Sequence, residues 1–154
     1  MKSHSSQTIY SLIRESCDLA PNQLALVDTA RSLSYSELDS AIQSTANYLV
    51  ELGVNKTAPI MVVGENSIAL SVLLLASAKL NICVVMENAR RVHPEICKII
   101  DHSCPSHIFF LHENSDDAKN HAMQFGAEII SHPELGQFGL RLSRTMDSKS
   151  VPEN

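Results

Sequence analysis

Six histidines and cysteines crowd one stretch of the chain, where they could together provide a metal site. Imidazole and thiolate are ligands that zinc prefers, and a helix would place residues four apart, such as His93 and Cys97, on one face. The spacing of the group fits no standard zinc motif, however, and a helix end accounts for His102 through the helix dipole. The sequence therefore predicts no metal ligand among His93, Cys97, His102, Cys104, His107 and His112.

A second candidate site follows an apolar run that ends at Val63. Glu65, Asn66 and Ser67 come after this run, and ligands of open α/β sheets collect at the carboxyl ends of strands. We expect these three residues to be the substrate-binding residues, if the chain has any. A phosphate cradle is not expected, because the five glycines form no Gly-x-Gly-x-x-Gly or Walker pattern. The structural alternative is a strand-to-helix turn capped by Asn66 or Ser67.

No catalytic group stands out among the other polar residues. Serines are abundant, but none lies in a Gly-x-Ser-x-Gly turn, and no histidine and acid can be assigned to one. Asp116 and Asp117 lie at an apparent helix start, where the helix dipole explains them. The sequence therefore predicts no catalytic residue.

These candidates need a scaffold, and the first part of the chain predicts its opening elements. Thr8 is expected to cap a short helix with Ile9, Leu12 and Ile13 on one face. Two extended runs, at 25–27 and 32–35, predict a hairpin. Ser36 is expected to cap a long amphipathic helix that Gly53 closes.

Beyond residue 58, continuous apolar runs alternate with helical patterns. This alternation is typical of a parallel sheet with helices on both faces. We expect an α/β fold with a parallel sheet of about five strands, preceded by the short helix and the hairpin. The predicted strands are 58–63, 82–86, 107–111 and 127–131, and the predicted helices are 67–80, 94–102 and 115–125.

The end of the chain loses this periodicity. From Leu140 onward the chain is rich in Ser, Arg, Lys and Pro. Such composition predicts a linker or a disordered tail. We therefore expect one domain over residues 1–139 and a tail over 140–154.

Composition narrows the class of protein further. A net charge of -5 gives no basic field for nucleic acid. The apolar run from Ile68 to Met86 is interrupted by Lys79 and Asn81, so we expect buried core and no membrane span. The polar start resembles no signal peptide, which predicts a cytoplasmic protein with reduced thiols, Cys83 among them in a buried strand.

An ordered series of local patterns resembles one known family. The run Leu33-Ser34-Tyr35-Ser36-Glu37-Leu38 resembles the first core motif of the AMP-forming adenylating enzymes, which include acyl-CoA synthetases, adenylation domains of peptide synthetases and luciferases. The segments 51–54, 65–67, 68–80, 83–85, 88–96 and 101–110 are similar to the elements that follow it. The second core region of the family has a glycine where this chain has Asn81 and a proline where it has Met86.

The resemblance implies that the chain is the N-terminal part of a larger enzyme. Such a parent would activate a small carboxylic acid with ATP to an acyl-adenylate and pass the acyl group to a thiol, usually that of coenzyme A, with Mg²⁺ accompanying the ATP. In family members the phosphate loop, the ribose-binding aspartate and the catalytic lysine lie beyond the equivalent of Asn154. The 154 residues alone are therefore expected to be inactive and to hold no cofactor. The region from Lys79 to Asn88 favours an acyl-CoA ligase over a peptide synthetase.

Two alternatives stay open for function and partners. The chain could be a non-catalytic protein-interaction module or a degenerate paralogue of the same fold. As part of an adenylating enzyme, the chain is expected to have the remainder of that enzyme as its partner. A truncated domain would also expose an apolar face, so a homodimer through that face is a further expectation.

Overall fold

A computed structural model describes residues 8–143 as five helices and seven strands. The elements, in chain order, are α1 (Ile9–Leu19), β1 (Leu24–Val27), β2 (Ser32–Ser34), α2 (Tyr35–Glu51), β3 (Ile60–Gly64), α3 (Ile68–Lys79), β4 (Val84–Asn88), α4 (His93–Ser103), β5 (His107–Leu111), α5 (Asp116–Gln124), β6 (Glu128–His132) and β7 (Gly136–Leu142). The N-terminal helix and the hairpin of β1 and β2 precede the main sheet, which confirms the expected order.

Side-chain caps set where the first helices begin. Thr8 caps α1 as predicted, since its Oγ1 accepts a hydrogen bond from the Ser11 backbone at 3.1 Å. The predicted cap of α2, Ser36, is wrong. Ser34 is the cap, because its Oγ accepts from the Glu37 backbone while the Glu37 carboxylate accepts from the Ser34 backbone. This reciprocal pair starts the helix two residues earlier than expected.

The main sheet has five strands in the order β4-β3-β5-β7-β6. β3 pairs in parallel with β4 and β5, as predicted. The expectation of an entirely parallel sheet is wrong, because β7 runs antiparallel to both β5 and β6. Only three residues join β6 to β7, and so short a connection can link only antiparallel neighbours.

Strand β7 extends the domain beyond its predicted end. The predicted boundary after Gly139 falls inside this strand, and Leu140 is buried in the core. A Cβ at Gly139 would lie 2.7 Å from the Cβ of Ala122, so glycine allows α5 to pack closely on β7. Residues 140–142 therefore belong to the sheet, while residues 144–154 of the predicted tail lie outside the described part of the chain.

Helices cover both faces of the sheet, as expected. Successive residues of β3 point to opposite faces, so Ile60 and Val62 join a core with α2 and α3, while Met61 and Val63 join a core with α4 and α5. No helix within residues 8–143 is long and apolar enough to cross a membrane.

Strand β4 forms one edge of the sheet and is only half-buried. The strand begins at Val84, so Cys83, which was predicted to lie within the strand, precedes it. Cys83 is therefore exposed, which corrects the expectation of a core cysteine, whereas Cys17 of α1 is buried.

Candidate functional site

The carboxyl ends of β3, β4 and β5 meet at one edge of the sheet, as parallel pairing requires. Gly64 and Asn88, the last residues of β3 and β4, are paired. A Cβ at Gly64 would lie 3.1 Å from the Cβ of Leu111, so this glycine lets β5 end close beside it. Glu65, Asn66 and Ser67 continue from β3 at this edge, where the sequence predicted them.

An open groove of about 510 Å³ lies between the ends of β3 and β4. We call it the carboxyl-edge groove; it is lined by Gly64, Glu65, Asn66, Leu70, Met86, Glu87, Asn88 and Arg90. Its volume lies within the range of small-molecule sites. Two of the three predicted substrate-binding residues, Glu65 and Asn66, thus share one groove.

Ser67 has a structural role beside this groove. Its Oγ accepts a hydrogen bond from the Leu70 backbone at 3.1 Å, which makes Ser67 the N-cap of α3. The capped-turn alternative raised for Ser67 is therefore confirmed. The side chain lines a much smaller cavity beside Glu65 and does not line the carboxyl-edge groove.

Arg90 lines this groove as well, although the sequence did not single it out. Its Nε donates to Oε1 of Glu65 at 3.0 Å, so the two side chains form an ion pair across the groove. The Arg90 side chain is 74% exposed, whereas that of Glu65 is 31% exposed. The Asn88 side chain accepts from the Arg90 backbone at 2.9 Å and fixes the turn on which the arginine lies. The signal that pointed to Glu65, a polar residue just after a strand, also applies to Arg90.

Asp28 fills the position that an anion would take at the start of α3. Its Oδ2 accepts from the Ile68 backbone at 2.9 Å, and its Oδ1 accepts from the Ala30 and Arg31 backbones at the same distance. These hydrogen bonds, that from Ile68 foremost, hold the pKa of Asp28 below its usual value. The hairpin turn is thereby fixed to the carboxyl edge of the sheet. Nothing in the sequence pattern pointed to this role, because Asp28 and Ile68 are far apart in the chain.

The histidines and cysteines that could have formed a metal site are spread through the fold. His107 begins β5 and His112 follows its end, so they lie roughly 16 Å apart along the strand. His107 is held in place by its neighbours, since its Nε2 donates to the Leu52 carbonyl at 3.2 Å. Within residues 8–143, no three His, Cys, Asp or Glu side chains come close enough to hold a metal ion.

A second cavity, of about 620 Å³, opens at the opposite edge of the sheet. Leu52, Pro59, Cys104, His107 and Leu142 contribute to its wall. None of its described lining residues is Asp, Glu, Lys or Arg. The carboxyl-edge groove, in contrast, brings together charged and amide side chains, which is the more specific arrangement for binding a polar ligand.

Comparison with known proteins connects this architecture to one family. A family model described as AMP-binding enzyme matches residues 13–149. A 3-oxocholest-4-en-26-oate–CoA ligase of Rhodococcus rhodochrous is 28% identical over 114 residues, which are 73% of this chain and 20% of the ligase. The nonribosomal peptide synthetase verP of Clonostachys rogersoniana is 27% identical over 136 residues, or 82% of this chain and 7% of the synthetase.

Solved structures show the same fold. A Mycobacterium tuberculosis fatty acyl CoA synthetase superimposes with a TM-score of 0.61 and 25% identity, over 64% of this chain and 20% of the synthetase. The N-terminal subdomain of Klebsiella oxytoca NpsA gives a TM-score of 0.60 at 20% identity, over 64% of this chain and 26% of the subdomain chain. The chain spans a fifth or less of the curated relatives it matches.

The family match covers most of the chain, and the fold agrees with it from the N-terminal helix to the covered sheet. The resemblance seen in the sequence is thus confirmed: the chain belongs to the family of AMP-binding enzymes.

Proposed function

We propose that this chain is the N-terminal part of an acid–thiol ligase of the acyl-CoA synthetase type. The parent enzyme activates a carboxylic acid with ATP, releases pyrophosphate and transfers the acyl group from the adenylate to a thiol such as that of coenzyme A. The observation that carries the proposal is the family match over residues 13–149. Relatives named as CoA ligases and a fatty acyl CoA synthetase among the structural neighbours support the acyl-CoA type.

The described residues do not by themselves fit ATP or Mg²⁺. The backbone amide of Ile68 at the start of α3 already donates to Asp28. The cation of the carboxyl-edge groove, Arg90, already pairs with Glu65. Phosphate binding needs several converging donors and positive charge that are free to meet the ligand. We therefore assign nucleotide and metal binding to the remainder of the parent enzyme, together with the acyl transfer.

The role of this chain in the parent is to supply the covered sheet and the carboxyl-edge groove. Glu65 and Asn66 are the proposed substrate contacts, and Ser67 supports them by capping α3. We place the parent in the cytoplasm.

Two measurements test this proposal. The gene should continue past Asn154 into a Ser-, Thr- and Gly-rich phosphate loop, and the full-length protein should exchange pyrophosphate into ATP in the presence of its carboxylic acid. Residues 1–154 alone should show neither exchange nor tight ATP binding by calorimetry, because the converging phosphate donors are missing. A natural stop codon after Asn154 would contradict the proposal and favour a non-catalytic module. Exchange by the 154-residue chain alone would show that the nucleotide site lies within it.

A further inference from the structure

The turn that carries Arg90 into the carboxyl-edge groove is held from several directions. We call residues 89–91 the arginine turn. The Ala89 backbone donates to the Gly64 carbonyl at 3.3 Å, and the Arg91 backbone donates to the Asn88 carbonyl at 3.1 Å. These bonds tie the turn to the ends of β3 and β4. The carbonyl groups of Ala89 and Arg91 take no part in these bonds. Their hydrogen-bond partner lies on helix α5.

His121 of α5 satisfies both carbonyls with a single ring nitrogen. Its Nε2 lies 3.0 Å from the Ala89 oxygen and 2.9 Å from the Arg91 oxygen. Both partners can only accept, so Nε2 must carry the proton and donate to the two oxygens together. The imidazole is only 7% exposed, and a donor shared by two carbonyls inside the protein fixes their separation.

The other side of the imidazole offers no competing interaction. Its Nδ1 is buried without a hydrogen-bond partner among the described residues. The ring of His93 stacks at 6.2 Å between centroids, and Phe125 lies 4.4 Å from His93. The ring is therefore stacked on a second imidazole, and turning it over would leave the Nε2 donor and two carbonyls unpaired.

We propose that His121 is a positioning residue of the carboxyl-edge groove: as the Nε2-protonated tautomer it clamps the arginine turn and so sets where Arg90 meets Glu65. The groove's role in binding substrate rests on the proposed function. The clamp itself does not, since it is a property of the hydrogen bonds within this chain. Arg90 is long and largely exposed, so its backbone must be fixed if its guanidinium is to present one geometry to a ligand.

The clamp is tested by nuclear magnetic resonance on the ¹⁵N-labelled 154-residue chain. Because both partners of Nε2 are acceptors, the ring nitrogens of His121 should show protonated Nε2 and unprotonated Nδ1. His121→Phe keeps an aromatic ring but removes the donor. We expect exchange of the Ala89 and Arg91 amide hydrogens to become about tenfold faster, as loss of a buried hydrogen bond would produce, and the Arg90 Nε–H signal to shift. His121→Gln restores an N–H donor and should return both readouts toward those of the unmodified chain.

A matched control separates the clamp from general loosening of the core. His112 is buried to a similar degree, 9% exposed, and its Nε2 has no partner among the described residues. His112→Phe should therefore leave exchange in the arginine turn unchanged.

An Nδ1-protonated His121, or equal exchange in His121→Phe and the unmodified chain, would overturn the proposal. If His121→Phe fails to fold, the tautomer and the His121→Gln variant still decide it. Failure of pyrophosphate exchange by the full-length protein would count against the proposed function only.

Discussion

Asp28 and Arg31 of the hairpin turn connect three parts of the fold. It joins the hairpin turn to the N-terminus of α3, and its neighbour Arg31 donates to the Glu134 carbonyl in the turn between β6 and β7. The hairpin is therefore fixed over the carboxyl edge of the sheet by polar contacts between residues distant in sequence. Such contacts depend on the folded arrangement, so hydrophobic periodicity cannot reveal them.

Replacing Asp28 should destabilise the chain measurably. Asp28→Ala leaves the Ile68, Ala30 and Arg31 amides without their acceptor, and the loss of hydrogen bonds to a charged group costs about 1.5–3 kcal/mol. Asp28→Asn keeps one oxygen and should fall between Asp28→Ala and the unmodified chain. Urea unfolding followed by circular dichroism measures both. Equal stability of all three chains would show that the carboxylate does not anchor α3.

Some of the site residues could be predicted from the sequence and others could not. Glu65 and Asn66 were predictable, because a polar residue directly after an apolar strand lies at the carboxyl edge in any parallel sheet. Arg90 and His121 were not assigned to the site. Arg90 pairs with Glu65 only because β4 lies beside β3, and His121 reaches the arginine turn only because α5 packs beside it.

At the scale of elements, the turn from α3 into β4 shows how this chain meets a requirement that the family's usual glycine meets. Asn81 has a φ of +54°, in the left-handed region that favours glycine and that asparagine tolerates best among other residues. The turn is therefore retained without the glycine.

We expect Asn81→Gly to stabilise the chain by about 0.5 kcal/mol and Asn81→Ala to destabilise it by about 1 kcal/mol, because alanine adopts this conformation poorly. Thermal unfolding would show a higher and a lower midpoint, respectively. Gly53→Ala is a suitable reference: Gly53 has a φ of +79°, and an added Cβ meets nothing within 4 Å, so only backbone strain changes. Similar midpoints for Asn81→Gly and Asn81→Ala would contradict the assignment.

Most elements of the fold could be predicted, and the exceptions share a physical cause. The long helix α2 has apolar residues at helical spacing, and strands β3 and β5 are continuous apolar runs. Both patterns identify the type of element directly from the sequence. Strand β7 was missed although Gln137, Gly139 and Arg141 alternate with apolar residues as in a half-buried strand, because its two glycines and the polar residues that follow it favoured a loop. Strand β4 was predicted to be buried, although its place at the edge depends on the strand order, which periodicity does not specify.

At the scale of the whole molecule, three buried histidines make stability depend on pH. Burial is the main cause that lowers the pKa of His107, His112 and His132 below the usual value of 6.5. The unfolded chain therefore binds more protons than the folded chain as the pH falls below about 6.5. Their stabilising contribution is complete above that pH and is lost as the pH falls toward their lower folded values.

We expect the free energy of unfolding to decrease steadily between about pH 6.5 and pH 5, where carboxylates are still mostly ionised. Urea titrations at several pH values would measure this slope. His112→Phe should reduce the slope, because it removes one of the three imidazoles whose pKa burial lowers in the folded chain. A free energy of unfolding that stays constant over this range would contradict the prediction.

The unpaired side of the outermost strand, β4, affects whether the isolated chain self-associates in solution. Among residues 8–143, strand β4 has a neighbouring strand on one side only, and Met86 in its centre is 55% exposed. Natural edge strands avoid association through lysine, proline or a covering element, and β4 has neither lysine nor proline within Val84–Asn88. In the family a proline stands where this chain has Met86.

We therefore predict that residues 1–154 self-associate weakly through β4, and that Met86→Lys, which places a charge on this edge, makes the chain monomeric in sedimentation velocity over a range of concentrations. Val50→Lys is the matched control: Val50 is 59% exposed, but it lies on α2, where no strand edge is available for pairing. If the two substitutions reduce association equally, general apolar contact and not strand pairing holds the copies together. If the unmodified chain is monomeric throughout, β4 does not mediate association and the expected homodimer is wrong.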